Sequence, residues 1–267
     1  MSLKETLKFF ILRTVPEKPL QLMKRFHYLR IIRNMCADDE IDIRIVKHLV
    51  KPGETVIDVG ASFGIYTSFL SSTVGEKGIV YSMEPIPLTY DILTFIIKKQ
   101  KLQNVTPYNF ALSDSDRVVK MEIPETSSGV KDFYRARIVK GSSPNVFLKH
   151  YELKCRALDF LELQIKDRLS FIKIDVEEHE LQVLQGGKGI IKKYMPALLI
   201  EITGNPNDEN SSAHMVFDTL LKFGYSAYWY DGTKLLNSIR KNDVTNYFFL
   251  TKSQAIELKT KFGLLNE

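Results

Sequence analysis

From residue 40 onward, short β-branched runs alternate with longer amphipathic segments, which restricts the chain to a mostly parallel sheet covered by helices. Ile41–Val50 reads as an amphipathic helix stopped by Lys51-Pro52-Gly53. Thr55–Val59 is predicted as the first strand, Phe63–Ser72 as the helix after it, and Gly78–Glu84 as the second strand. Leu88–Lys101 is the next helix and Val105–Phe110 the third strand. The rhythm then changes. Arg117–Ile123 reads as an extra strand, and 125–149 has no clear period but is rich in Ser, Gly and basic residues (Lys131, Arg135, Arg137, Lys140, Lys149). Tyr151–Arg156 looks extended, with a short helix near Leu158–Leu163. Leu169–Asp175 is the fourth strand, Glu178–Leu184 starts a helix that Gly186-Gly187 interrupts or caps, and Ala197–Ile202 is the fifth strand. Ala213–Phe223 is a helix closed by Gly224, and Tyr225–Tyr230 with Asn246–Leu250 form a terminal antiparallel pair. The expected fold is α/β, a doubly wound sheet of seven principal strands.

At 267 residues and 44% hydrophobic, the chain is large enough for one sizeable core with an arm. Two widely spaced cysteines, Cys36 and Cys155, fit neither a disulfide scaffold nor a metal site and point to a reducing, cytoplasmic setting. No apolar run reaches the length of a membrane span, and Phe9-Phe10-Ile11-Leu12 is too short for a signal-peptide core. The net charge of +5 is unevenly placed. Residues 1–33 carry Lys4, Lys8, Arg13, Lys18, Lys24, Arg25, Arg30 and Arg33 against Glu5 and Glu17, leaving the remainder near neutral. Residues 1–38 are expected to form a basic helical arm, packed on its own domain or touching a membrane surface or partner, and 39–267 the main domain. No recognised module supports nucleic-acid binding.

The stretch Val56-Ile57-Asp58-Val59-Gly60-Ala61-Ser62-Phe63-Gly64 contains G-x-S-x-G, which exposes a nucleophilic serine in some hydrolases. Such a serine should sit mid-sheet with a histidine after a late strand. Ser62 follows the first strand, and His150, His179 and His214 do not follow a late strand in that way. A strand, a small-residue turn and a helix also form a cofactor cradle, in which bulk-free residues let backbone N–H groups approach the ligand. Glu84, 20 residues after Gly64, ends the second strand where an acid grips a ribose hydroxyl pair. Both nicotinamide and S-adenosylmethionine enzymes use such an acid. The G-x-G-x-x-G spacing is absent, and Asp58 would repel a pyrophosphate. A ligand with an ammonium and a sulfonium suits Asp58 better, and S-adenosylmethionine is one.

The ordered blocks VIDVGASFGIYT, YSMEP, NFALSD, FIKIDVEEHELQVLQGG and PALLIEI resemble the FkbM-type S-adenosylmethionine-dependent methyltransferases, from about residue 40 to 250. That resemblance implies a Rossmann-like sheet of the class I methyltransferase type. It also implies a cofactor loop of Asp58, Gly60, Ala61, Ser62 and Gly64, with Glu84 on the ribose hydroxyls and Pro85 shaping the turn. Asn109, Phe110 and Ala111 would lie along the adenine. Two positions depart from the family, which usually has Asn at Ser62 and Gly at Glu178.

Methyl transfer to a hydroxyl requires alignment with the donor and a group to take up the proton. Lys173-Ile174-Asp175-Val176-Glu177-Glu178-His179-Glu180 concentrates such groups at the end of the fourth strand, and Glu201 ends the fifth. Asp175, Glu177, His179 and Glu201 are therefore the candidate catalytic residues. Glu178 and Glu180 read as a solvated helix N-terminus. No metal is assigned. The irregular insertion, about 124–150, is the expected lid and substrate reader. The expected activity is O-methylation of a sugar, glycan or natural-product-like hydroxyl. A methyltransferase-fold binding protein without catalysis and a nicotinamide oxidoreductase are the alternatives.

Overall fold

Strand β1 (Thr55–Val59) is buried along its whole length, as a central strand covered on both faces must be. The computed structural model describes residues 17–34, 40–123, 137–138, 149–237 and 244–265. Helices α1 (Glu17–Asn34) and α2 (Ile43–Leu49) precede β1; α3 (Ile65–Val74), β2 (Ile79–Met83), α4 (Pro87–Gln100) and β3 (Val105–Tyr108) follow it. A second group holds β4 (Ala111–Ser113), β5 (Arg117–Ile123), β6 (Arg137–Ile138) and β7 (Lys149–Ala157). The chain continues through β8 (Leu169–Ile174), α5 (Glu180–Gly186), α6 (Lys188–Tyr194), β9 (Ala197–Glu201) and α7 (Ser212–Lys222). It then forms β10 (Ser226–Tyr230), β11 (Leu235–Asn237), β12 (Asn246–Leu250) and α8 (Lys252–Phe262).

The main sheet has the order β11-β10-β12-β9-β8-β1-β2-β3. Strands β9, β8, β1, β2 and β3 run parallel, while β12 pairs antiparallel with both β9 and β10. The seven expected strands are present, and the short β11 adds an eighth at the edge. Gly187 separates α5 from α6 and belongs to neither, as the glycine pair suggested.

Two local expectations change. The third strand stops at Tyr108, and Ala111–Ser113 leaves it to pair with β7. The extra strand, two residues from the middle of the irregular segment (Arg137–Ile138) and its last residue Lys149 join a second sheet, β4-β7-β5-β6, in which Arg117–Ile123 pairs antiparallel with Lys149–Cys155. Its partners lie far apart in sequence and its β6 is two residues long, so no local period reveals it. Residues 124–136 and 139–148 of the expected lid, and 1–16 and 35–38 of the expected arm, lie outside the described residues.

Side-chain alternation divides the core between the two faces of the main sheet. Ile57, Val59, Tyr81, Met83, Ile172 and Ile174 face one layer. Val56, Val80 and Phe171 face the other, with Tyr66 and Leu70 of α3. The same alternation puts Asp58, Ser82 and Lys173 beneath α3, where apolar residues would be expected. Among the described residues, no helix is long and apolar enough to cross a membrane.

Candidate functional site

Strand order reverses at β1: β2 and β3 lie to one side, β8 and β9 to the other. Ligands of open α/β sheets bind beyond the carboxyl ends at such a point. Register makes the arrangement definite. Val59 is opposite both Met83 and Ile174, and Ile174 is opposite Ile200. The next residue of each strand therefore falls in one row: Glu84, Gly60, Asp175, Glu201.

Two adjoining cavities open along this row, of about 250 and 230 Å³, and both are lined by Gly60, Ser62, Asp175 and Glu201. The larger extends over Glu84, Pro85, Phe110 and Ala111, with Met121 of the second sheet and Glu177 and His179 on its walls. The smaller reaches Asp58, Ala61, Phe63, Tyr66 and Lys173. Gly60 has φ +78°, and a Cβ there would stand 1.8 Å from the Asp175 carbonyl oxygen. The close approach of β1 and β8 thus requires glycine.

Glu84 is 4% exposed. One oxygen accepts the Ser62 N–H at 2.9 Å; the other accepts the Ile86 N–H at 2.9 Å and the Thr89 hydroxyl at 2.5 Å. Burial pushes its carboxyl up to about 7 against those hydrogen bonds. The carboxylate thus ties the cofactor loop to the β2–α4 turn. Asn109 does not line either cavity. Its amide donates to the Glu84 and Pro85 carbonyls at 2.9 and 3.1 Å, bracing that same turn. Gly64 also lies away from the cavities, at the N-cap of α3 with φ +94°, against Leu93.

Asp58, which the sequence matched to an ammonium or sulfonium group, does not face open solvent. It is fully buried, because position 58 points under α3, and its Oδ2 accepts the Thr67 hydroxyl at 2.6 Å. Its Oδ1 is buried without a hydrogen-bond partner, and burial raises its pKa. A buried carboxylate oxygen lacking a donor, on a cavity wall, fits a ligand that carries a cationic donor. The residues present therefore fit a sulfonium-bearing amino-acid cofactor.

Lys173 is the feature to which sequence reading gave no role. Its Nζ lies 2.7 Å from Asp175 Oδ2 and 4.6 Å from the Tyr66 ring centre, at 8% residue exposure. Burial lowers an ammonium's pKa, but Asp175 and Asp58 outweigh it and hold Lys173 above the ordinary lysine range. The sequence signal was available: a lysine inside an otherwise apolar strand, two residues before an aspartate, shares that aspartate's face. Across from the pair, burial and then the Asp175 charge push Glu201 up to about 7.

The β8–α5 turn carries the remaining candidates. Glu177 and Glu178 have φ of +50° and +67°, a region costly for residues with a Cβ. The glycine that the resemblance leads one to expect at position 178 would adopt this backbone without that cost. His179 is buried and its Nε2 lies 2.9 Å from the Ser113 hydroxyl of β4. Glu178 is exposed, as expected. Glu180 is not: it is 3% exposed, its Oε1 accepts the Glu178 N–H at 3.0 Å, and burial pushes it up to about 7. The helix turns that carboxylate inward, which charge pattern alone does not show. Among the described residues, no group of three or more His, Cys, Asp and Glu is arranged to hold a metal ion.

Residues 58–227 match the profile of the FkbM methyltransferase domain. The chain belongs to the FkbM methyltransferase family. Its cofactor is S-adenosylmethionine, and the nicotinamide and non-catalytic alternatives are not favoured. In fold this FkbM-family chain is similar to an FkbM methyltransferase from Methylobacillus flagellatus, at 16% identity and a TM-score of 0.47, over 78% of this chain and 50% of that one. An O-methyltransferase from Bacillus cereus in complex with S-adenosylhomocysteine aligns over 91% of this chain and 96% of its own, at 11% identity and a TM-score of 0.44. A curated relative, ribosomal RNA large subunit methyltransferase E of Bdellovibrio bacteriovorus, is 28% identical over 109 residues, 34% of this chain and 55% of the relative. The chain thus spans about half the length of that curated relative.

Proposed function

We propose that the chain methylates a hydroxyl oxygen of a sugar, glycan or natural-product-like small molecule. S-adenosylmethionine supplies the methyl group, activated as a sulfonium substituent. Asp58, Gly60, Ala61 and Ser62 would hold the amino-acid end of the cofactor, and Glu84 and Pro85, with Phe110 and Ala111, its nucleoside. Gly64 and Asn109 act from behind, fixing the loop and turn that make those contacts. Lys173 neutralises part of the carboxylate cluster and orients Asp175.

The observation that carries the acceptor class is Glu201 in the row beside Asp175, pushed up to about 7. A carboxyl of that pKa takes a proton from a hydroxyl near neutral pH more readily than an ordinary glutamate. Glu201 is the proposed base; Asp175, Glu177 and His179 would align the acceptor. Phe110, Leu112 and Met121 give the same cavity an apolar side suited to a ring or short chain. The proposal includes the division into a basic arm over 1–38 and a methyltransferase domain over 39–267, with 124–150 as lid. It also places the protein in the reducing cytoplasm, which suits the free, buried Cys155.

Calorimetric titration with S-adenosylmethionine tests the cofactor assignments, with Asp58→Ala and Glu84→Ala each expected to weaken binding at least tenfold. Unchanged affinity in both would remove them. The acceptor is tested by mass spectrometry of hydroxylated small molecules, glycans and ribosomal RNA incubated with methyl-labelled cofactor. Label on nitrogen or on RNA alone would overturn the hydroxyl-acceptor reading.

A further inference from the structure

Helix α1 lies outside the residues that match the family, yet it packs on the loop over residues 60–64 and on α4. The Tyr28 ring stacks on Phe63, with centroids 3.7 Å apart and planes 13° apart. Phe63 belongs to the loop over residues 60–64 and is 4% exposed. Its burial comes from two sides: Leu29 and Ile32 of α1, and Ile92 and Ile96 of α4. At the other end of the contact, Gln21 Nε2 donates to the Leu88 carbonyl and to Asp91 Oδ2, both at 3.0 Å. Arg25 Nε and Nη2 reach the two Asp91 oxygens at 2.9 and 2.5 Å. Leu88 and Asp91 stand on α4, which begins just after Glu84 and supplies the Thr89 hydroxyl to it.

The loop needs such support. Ser62 has φ +48°, in the left-handed region where residues with a Cβ are costly. A strained residue persists only where its surroundings over-determine it. The Ser62 N–H is bound by Glu84 on one side, and the neighbouring Phe63 is anchored by α1 on the other. We propose that α1 clamps the cofactor loop, with Tyr28 as a positioning residue that sets cofactor affinity without touching the cofactor. This rests on the cofactor site described above.

The test uses the full chain. Hydrogen–deuterium exchange over residues 59–66, without ligand, is expected to quicken in Tyr28→Ala and to stay at the wild-type rate in Tyr28→Phe. Calorimetry with S-adenosylhomocysteine should show Tyr28→Ala about three- to tenfold weaker and Tyr28→Phe within about twofold of wild type, the range expected for one aromatic stack. The KM for any acceptor should stay unchanged, which a general loosening of the fold would not allow. Tyr28→Leu keeps apolar bulk if the alanine variant unfolds, and it should also quicken loop exchange. Unchanged loop exchange, or quickened exchange with unchanged affinity, overturns the clamp. A wild-type chain that binds no S-adenosylhomocysteine while Tyr28→Ala still quickens loop exchange overturns the cofactor site, and the positioning role with it.

Discussion

Replacing Gly60 with alanine tests the geometry on which the site depends. The new Cβ would lie 1.8 Å from the Asp175 carbonyl oxygen and 2.9 Å from its carbon. Both are backbone atoms, so no side chain can swing aside. Relief requires the ends of β1 and β8 to part by more than about 1 Å, since contacts of that kind sit well beyond 3 Å. Parting them stretches the bond from Asp175 N to the Val59 carbonyl, 3.0 Å, which spans the gap between β8 and β1. The left-handed φ costs roughly 1–2 kcal/mol, overpacking about 1–3, and the weakened hydrogen bond about 1. The expected loss is about 3–6 kcal/mol, a large share of a typical folding free energy of roughly 5–15. Gly53→Ala isolates the steric part: it has φ +89° but nothing within 4 Å of a Cβ. In urea denaturation, Gly60→Ala should lose at least about 2 kcal/mol more than Gly53→Ala. Equal losses would refute the claim that β1 and β8 meet too closely for any side chain.

The buried carboxyl of Glu180 predicts a pH effect. It titrates at about 7 in the folded chain against an ordinary 4.5, so between those values the folded chain keeps a proton that the unfolded chain has released. Stability contributed by that proton is present at low pH and declines as pH rises towards 7. Glu180→Gln should flatten the decline and stand about 1–3 kcal/mol above wild type at pH 8; a variant as steep as wild type in pH-dependent denaturation would contradict this. Glu178→Gly should raise stability by about 0.5–1 kcal/mol, the left-handed strain relieved less glycine's extra unfolded freedom. A lower denaturation midpoint would show that the Glu178 side chain contributes more than its backbone costs.

The candidate site was partly legible in the sequence. Glu84, Gly60, Ser62, Asp175 and Glu201 follow apolar runs, so their places at strand ends could be read one strand at a time. The burial of Asp58 beneath α3 was not legible, and Glu180 was read as solvated although it is buried. Each belongs to a hydrophobic pattern that a charge interrupts, and the backbone direction, not the charge, decided where each points. Lys173 was passed over for the same reason.

Sequence by itself determined the order of strands and helices, the family, and the small residues at the β1–α3 turn. These are encoded locally, in spacing, in turn chemistry and in runs too apolar to face water. Only the tertiary structure decided which residues stand side by side. Parallel strands pair across crossovers of many residues, and register is set by packing of whole faces rather than by any neighbour in the chain. That pairing aligned residues 60, 84, 175 and 201, formed the second sheet behind Met121, and brought Tyr28 onto Phe63.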